Sequence, residues 1–445
     1  MLLSPILQSL EQRLRRLDLP ISVNLWNGAS IAAPQPSRMS ITLRTPGALW
    51  ALIRPTFGKI AARYVEEEID FDGNTREMVR LAAALCGIQK DNFTRGRVNA
   101  AWWRHSRPGD REAIQYHYDV ADEFYALWLD RQRVYSCAYF RHPDDSLDQA
   151  QAQKLAHICN KLNLRAGERF LDIGCGWGAL ILWAARHYGV KATGITLSEN
   201  QCRYVQQQIA ELGLSGLCEV RLLDYRDLSE HERFDKIASV GMFEHVGEKN
   251  LPLYFGKIYR LLEPGGLILN HGITLSSTDN DRLGSGIGEF IDEYVFPGGE
   301  LVHVSKAMAA MSEQRLECWD VECLQQHYAK TLWHWVDRLE AGKREAIALV
   351  GEKKFRIWRI YMAGSAHAFE RGWMSIYQVL GGKPLPDGRF NFPLTREYLY
   401  ERSPGTRDTG VASGAVWMPA NRFACRREPP LSSRASENPE AFRNK

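Results

Sequence analysis

Apolar positions recur along this chain in two rhythms, and the change between them divides it. Leu3, Ile6, Leu7, Leu10, Leu14 and Leu17 lie three or four apart, with arginines among the polar positions, which predicts an amphipathic helix over Leu2–Leu17. Ile21–Trp26 and Met39–Leu43 read as strands around a turn rich in Pro and Ser. Helical spacing follows at Ala48–Ile53, Lys59–Glu67 and Thr75–Cys86, completing a small α+β unit over residues 1–90. Tyr116–Phe140 is dense in aromatic residues, with Phe124, Leu127 and Trp128 on one helical face. Such density is ordinarily core, and it would equally line a lid or an acyl pocket.

From Arg169 the pattern becomes regular. Strand Arg169–Gly174 is followed by helix Trp177–Tyr188, strand Lys191–Thr196 and helix Ser198–Leu212, with Ser198 as N-cap and Gln201 three residues on. Cys218–Leu223 and Phe234–Val240 are further strands; helix Leu251–Leu262 ends at Pro264-Gly265-Gly266 before the strand Leu267–Thr274. This alternation predicts an α/β fold with a parallel, doubly wound sheet, whose ligands bind beyond the carboxyl ends of the strands. Over residues 276–372 helical patterns take over, read as an insertion capping the site. Ile376–Leu380 and Glu397–Tyr400 are expected to finish the sheet as an antiparallel pair. Residues 116–402 thus form the second domain, and 403–445, rich in Ser, Pro, Arg and Glu, read as disordered.

The chemistry starts at Asp172-Ile173-Gly174-Cys175-Gly176-Trp177-Gly178. A buried strand, a glycine turn and a helix N-terminus make a pocket for a nucleotide-type ligand. Gly174, Gly176 and Ala179 also satisfy the dinucleotide spacing, but that site needs an acid at the end of the next strand, and Thr196-Leu197-Ser198 stands there instead. The D-x-G-x-G-x-G arrangement resembles the S-adenosylmethionine loop of Rossmann-type methyltransferases.

Composition narrows the rest. A net charge of +3 over 445 residues argues against nucleic acid. Nine cysteines without a repeating framework point to a reduced, cytoplasmic setting, and Cys318, Cys323 and His327 match no common zinc spacing. No apolar run approaches the roughly 20 residues of a membrane span. The stretch Asn92–Pro108 carries Arg95, Arg97, Arg104 and Arg107 around Trp102 and Trp103 without an acidic residue. Within a linker over 91–115, it reads either as a solvated connection or as a contact to anionic headgroups.

Six separated segments appear in order: Tyr116–Val120, Tyr135–Tyr139, Leu171–Gly178, Gly194–Gln201, Gly241–Gly247 and Pro393–Arg396. Together, over about Leu25 to Tyr400, they closely resemble the cyclopropane-fatty-acyl-phospholipid synthases and their mycolic-acid relatives. The resemblance implies attack by the double bond of an unsaturated phospholipid acyl chain on the methyl group of S-adenosylmethionine, then proton loss to a bound bicarbonate and ring closure. It implies a bicarbonate site at Cys137, Glu244, His271, Ile273 and Tyr328, with Ile273 contributing backbone. It also implies cofactor contacts at Tyr135, Ser136, Asp172, Gly174, Gly176, Gly178, Thr196, Leu197, Ser198, Asn200, Gln201, Asp224 and Tyr225, with Gln201 toward the ribose. A peripheral position on the inner face of the membrane follows for such a substrate, and a homodimer remains compatible.

Taken alone, Glu244 is a surface carboxylate unless its apolar neighbours Met242, Phe243 and Val246 bury it. His271 would be a satisfied core histidine were it not near the carboxyl end of its strand. Tyr328 shares a helical face with Leu324, Leu332, Trp335 and Leu339, so its ring points inward. Cys137 has no base beside it and is expected to shape the site rather than attack. Ser365 stands in Gly364-Ser365-Ala366 where many relatives have cysteine, and the mechanism asks for no thiol there. Methyl branching without ring closure and a catalytically silent lipid-binding homologue are the alternatives.

Overall fold

The computed structural model describes residues 3–32, 39–87, 122–278, 284–296 and 299–401. The Tyr116–Val120 segment, the basic Asn92–Pro108 stretch and the C-terminal tail lie outside the described residues. Helix α1 (Leu3–Arg16) precedes a four-stranded sheet of β1 (Ile21–Leu25), β2 (Ser30–Ile31), β3 (Met39–Leu43) and β4 (Ile69–Asp72), in the order β2-β1-β3-β4. Strand β4 was not expected. Its four residues, Ile-Asp-Phe-Asp, alternate but are too few to register as a pattern. Helices α2 (Pro46–Ile53), α3 (Phe57–Val65) and α4 (Thr75–Cys86) are N-capped by Thr45, Thr56 and Asn74, whose side chains accept from backbone amides of the first turn.

Helices α5 (Asp122–Trp128) and α6 (Leu147–Lys161) lead into the main sheet. That sheet contains β5 (Arg169–Ile173), β6 (Lys191–Thr196), β7 (Cys218–Leu222), β8 (Phe234–Val240) and β9 (Leu262–Leu275), all parallel where they pair. Phe170, Leu171 and Ile173 of β5 are essentially inaccessible, each contributing about 2 kcal/mol of apolar burial. Helices α7 (Ala179–Tyr188), α8 (Glu199–Glu211) and α9 (Leu251–Leu261) are the crossovers. The order β9-β8-β5-β6-β7 places the topological switch between β5 and β8, where a ligand is expected.

Two expectations fail beyond β9. The region 276–372 is not wholly helical: besides α10 (Ile287–Tyr294) it holds β10 (Val302–His303), which pairs with β9, then α11 (Val304–Glu313) and β11 (Glu317–Cys323). Helices α12 (Gln325–Ala341) and α13 (Lys343–Glu370) follow, the latter kinked at Gly351. Strand β12 (Met374–Gly382) pairs antiparallel with β9 and with β11, not with Glu397–Tyr400. That last segment instead ends in the short helix α14 (Tyr398–Glu401). Tyr398 and Leu399 look apolar enough for a strand, but they anchor α14 on α6: the Tyr398 hydroxyl donates to Lys161 O, and Asn160 Nδ2 donates to Leu399 O.

The N-terminal unit is fastened to the cap. Gly58 N donates to Ser285 O at 3.0 Å and Phe57 N to Ser285 Oγ at 3.0 Å. From α13, Arg356 donates to Tyr64 O and pairs with Asp70 Oδ1 at 2.7 Å, while Arg359 donates to the Tyr64 hydroxyl and pairs with Glu340.

Candidate active site

Beyond the carboxyl ends of β5 and β6 lies a cavity of about 170 Å3. Its floor is the glycine turn, where Gly174, Gly176 and Gly178 all have positive φ. At Gly178, φ is 79° and an added Cβ would lie 2.7 Å from the Val205 methyl groups, so only glycine lets α7 start this close to α8. Tyr135, Ser136, Asp172, Thr196, Leu197, Gln201, Asp224 and Tyr225 line the same cavity. Gly178, Ser198 and Asn200 stand behind it: Ser198 caps α8 by accepting from Gln201 N at 3.3 Å, and Asn200 accepts from Arg203. Gln201 Oε1 accepts from the Thr196 hydroxyl at 2.8 Å, which fixes the carboxamide at the cavity wall. Asp224 is engaged by Arg226, whose guanidinium pairs with it at 2.6 Å.

Sequence reasoning missed a buried lysine of this cavity. Lys154 of α6 is buried, lines the wall, and donates to Ser136 Oγ at 2.9 Å. Burial pulls its ammonium down to about 8, against the pull of Asp130 and Asp172. Burial pushes Asp172 up to about 7 despite Lys154, and its Oδ1 has no hydrogen-bond partner. An ammonium, a hydroxyl and an unmatched carboxylate oxygen together suit a zwitterionic amino-acid moiety, so the residues present fit S-adenosylmethionine. The only sequence signal was a lysine on an otherwise core-facing helix, since Lys154 sits among Ala150, Leu155 and Ile158.

A second cavity, of about 120 Å3, shares Tyr135, Ser136, Gly241 and His245 with the first. Its walls are largely apolar: Ile291, Phe296, Leu301, Leu332, Phe369 and Met374. Within them converge Glu244, His271, Ile273 and Tyr328. An added Cβ at Gly272 would overlap the Phe243 ring, so this glycine lets the turn after β8 lie flat on β9. Glu244 is thereby brought to Ile273, whose backbone N–H donates to Oε1 at 2.7 Å. Glu244 is 8% exposed and Oε2 has no partner. Burial pushes its carboxyl up to about 7, with the Ile273 amide opposing.

His271 is fully buried, and burial reinforced by Lys154 and Lys161 holds its pKa well below the ordinary range, so the ring is neutral. Nδ1 meets Gln378 Nε2 at 3.2 Å, and Nε2 has no partner. Two unmatched buried polar atoms in an apolar cavity, with a buried phenol beside them, fit a small oxyanion such as bicarbonate. Cys137 is not among the lining residues: its thiol faces Leu324 O at 3.8 Å and Ala138 O at 3.2 Å, and burial keeps it protonated. Ser365 and Tyr361 also line this cavity and share a hydrogen bond; Tyr361 bonds Tyr135 as well.

The model of the mycolic acid cyclopropane synthetase family matches residues 105–379. The chain belongs to this family. A probable fatty acid methyltransferase of Pseudomonas putida is 45% identical over 89% of this chain and 100% of its own. The cyclopropane-fatty-acyl-phospholipid synthase of Escherichia coli is 37% identical over 61% of this chain and 68% of its own. Among solved structures, the cyclopropane synthase MmaA2 of Mycobacterium tuberculosis superposes with a TM-score of 0.59 at 33% identity, covering 61% of this chain and 98% of its own. Cyclopropane synthase CmaA1 in complex with SAH and CTAB gives 0.58 at 35% identity, covering 61% of this chain and 98% of its own. As a member of this family, the protein is a Rossmann-type, S-adenosylmethionine-dependent methyltransferase.

Proposed function

We propose that the protein transfers a methylene group to the cis double bond of an unsaturated phospholipid acyl chain, closing a cyclopropane ring, with bicarbonate as base. The observation that carries this reading is the second cavity: apolar enough for an acyl chain, continuous in its lining with the cofactor cavity, and polar only around Glu244, His271 and Tyr328. An amine substrate would have no use for that polar cluster.

S-adenosylmethionine supplies the electrophilic methyl group. Lys154 and Ser136 would hold its carboxylate end, and Gln201 and the glycine turn its nucleoside end. An alkene is a weak nucleophile, so the protein's part is to exclude water and to align. Phe296, Leu332, Phe369 and Met374 exclude water; Tyr135 and Gly241, common to both cavities, set the two reactants side by side. The neutral His271, Tyr328 and Glu244 would hold bicarbonate, which would supply the base for the proton released as the ring closes. Among the described residues no helix is long and apolar enough to cross a membrane. In this reading acyl chains reach the cavity from a membrane surface on which the protein docks from the cytoplasmic side.

A second reading, methyl branching without ring closure, is favoured by the name of the 45% identical relative. Mass spectrometry of lipids from cells expressing the protein separates the readings. Gain of CH2 with a ring by fragmentation supports the proposal, a branch supports the second reading, and unchanged lipids overturn both.

A further inference from the structure

Strand β12 places Gln378 directly opposite His271 of β9, and both side chains are fully buried. Its strand neighbours Ile376, Val379 and Leu380 are apolar, and a carboxamide among them is unfavourable unless it is bonded. The bond it makes is to His271 Nδ1, at 3.2 Å, through Nε2. With the carboxamide turned this way, its Oε1 unpartnered, the amide N–H donates and Nδ1 accepts, and a neutral imidazole then carries its proton on Nε2. Nε2 is the ring atom without a protein partner, in the cavity that Glu244 and Tyr328 also line.

We propose that Gln378 is a positioning residue: it selects the Nε2–H tautomer of His271, so that the ring presents a donor rather than a lone pair to the base-site anion. With the other tautomer the anion would face an imidazole lone pair, which repels it. The role rests on the bicarbonate reading, but the tautomer itself does not.

The test is 15N NMR of the full chain labelled at histidine, with the His271 signals assigned by difference against His271→Gln. The wild-type ring is expected to be protonated at Nε2. Gln378→Glu, the same shape with an acceptor-only carboxylate, is expected to move the proton to Nδ1 and raise the bicarbonate KM at least tenfold. Gln378→Met, which removes the bond without adding an acceptor, is expected to leave the proton off Nδ1 and raise KM less. Wild-type protonation at Nδ1 overturns the proposal even if neither variant folds, and so does a Gln378→Glu enzyme with unchanged tautomer and KM. Wild-type turnover independent of bicarbonate would overturn the base-site reading instead, while the tautomer measurement, made without anion, still decides the part of Gln378.

Discussion

Replacing Glu244 by Gln is expected to abolish most turnover and yet make the protein more stable in alkaline solution. Glu244 is buried, and its carboxyl titrates near 7 rather than near its ordinary 4.5. Below about pH 4.5 the group is protonated in folded and unfolded chains alike and contributes nothing. Between there and pH 7 the unfolded chain releases its proton while the folded one keeps it, so stability falls as pH rises. Above pH 7 the full penalty persists, about 3 kcal/mol for a shift of this size. The glutamine keeps Oε1 as acceptor for Ile273 N–H, bonded at 2.7 Å in the wild type, and carries no charge to bury. One kcal/mol moves Tm by roughly 2–4 °C in domains of 150–250 residues and by less in a longer chain, so a gain of about 3–6 °C is expected at pH 8. At pH 5 most of the gain should vanish. Asp172 titrates over the same window, but its contribution is common to both proteins and cancels in the difference. Scanning calorimetry of wild type and variant between pH 5 and 8 measures this; parallel Tm profiles would refute the assignment of a strained, buried carboxyl.

Three other outcomes follow from the geometry. Lys154→Met removes the cation beside Asp172 and the donor to Ser136, and should weaken SAH binding at least tenfold by titration calorimetry; unchanged affinity would reduce the lysine to a brace. Gly58→Ala drives a methyl group into the Gly286 carbonyl at the seam between the N-terminal unit and the cap, and should cost about 1–3 kcal/mol, read as a lower Tm and faster limited proteolysis. An unchanged melt would mean that the seam yields freely. Ser365→Ala should keep turnover within a few fold, since the hydroxyl bonds Tyr361 at the cavity wall; a loss of a hundredfold would show that it takes part in the chemistry.

The central sheet was legible because short strands alternate regularly with helical periods, and β5, β6, β8 and β9 are largely buried on both faces while only the edge strand β7 alternates. Glu244, His271 and Tyr328 came from the family resemblance, and what their own surroundings added was that each is polar within an apolar setting, near a strand end or on an inward helical face. Strand β11 was hidden because Glu317-Cys318-Trp319-Asp320-Val321-Glu322-Cys323 forms the sheet edge and carries three carboxylates in seven residues. Those charges are satisfied only in three dimensions. Lys161 lies 2.6 Å from Glu322 and 3.3 Å from Asp320, and Arg396 lies 2.6 Å from Asp320. Burial opposes ionisation of Glu322, but His157 and Lys161 hold it down to about 2. Lys154 and Gln378 were out of reach because what marks them is the partner across a strand or turn, and linear spacing does not encode it.

Helix α13 carries a consequence for how this architecture can be cut or inherited. Tyr361, Ser365 and Phe369 on its C-terminal half form cavity wall, while Arg356 and Arg359, earlier on the same helix, end on Tyr64, Ile69 and Asp70 of the N-terminal unit. A chain trimmed to the matched family span, 105–379, would lose those partners and leave the largely buried Arg356 guanidinium without its carbonyl acceptors. The boundary that homology draws therefore crosses a mechanical linkage, and any graft of this catalytic part onto another chain has to bring the arginine sockets with it or replace both arginines with residues that need none.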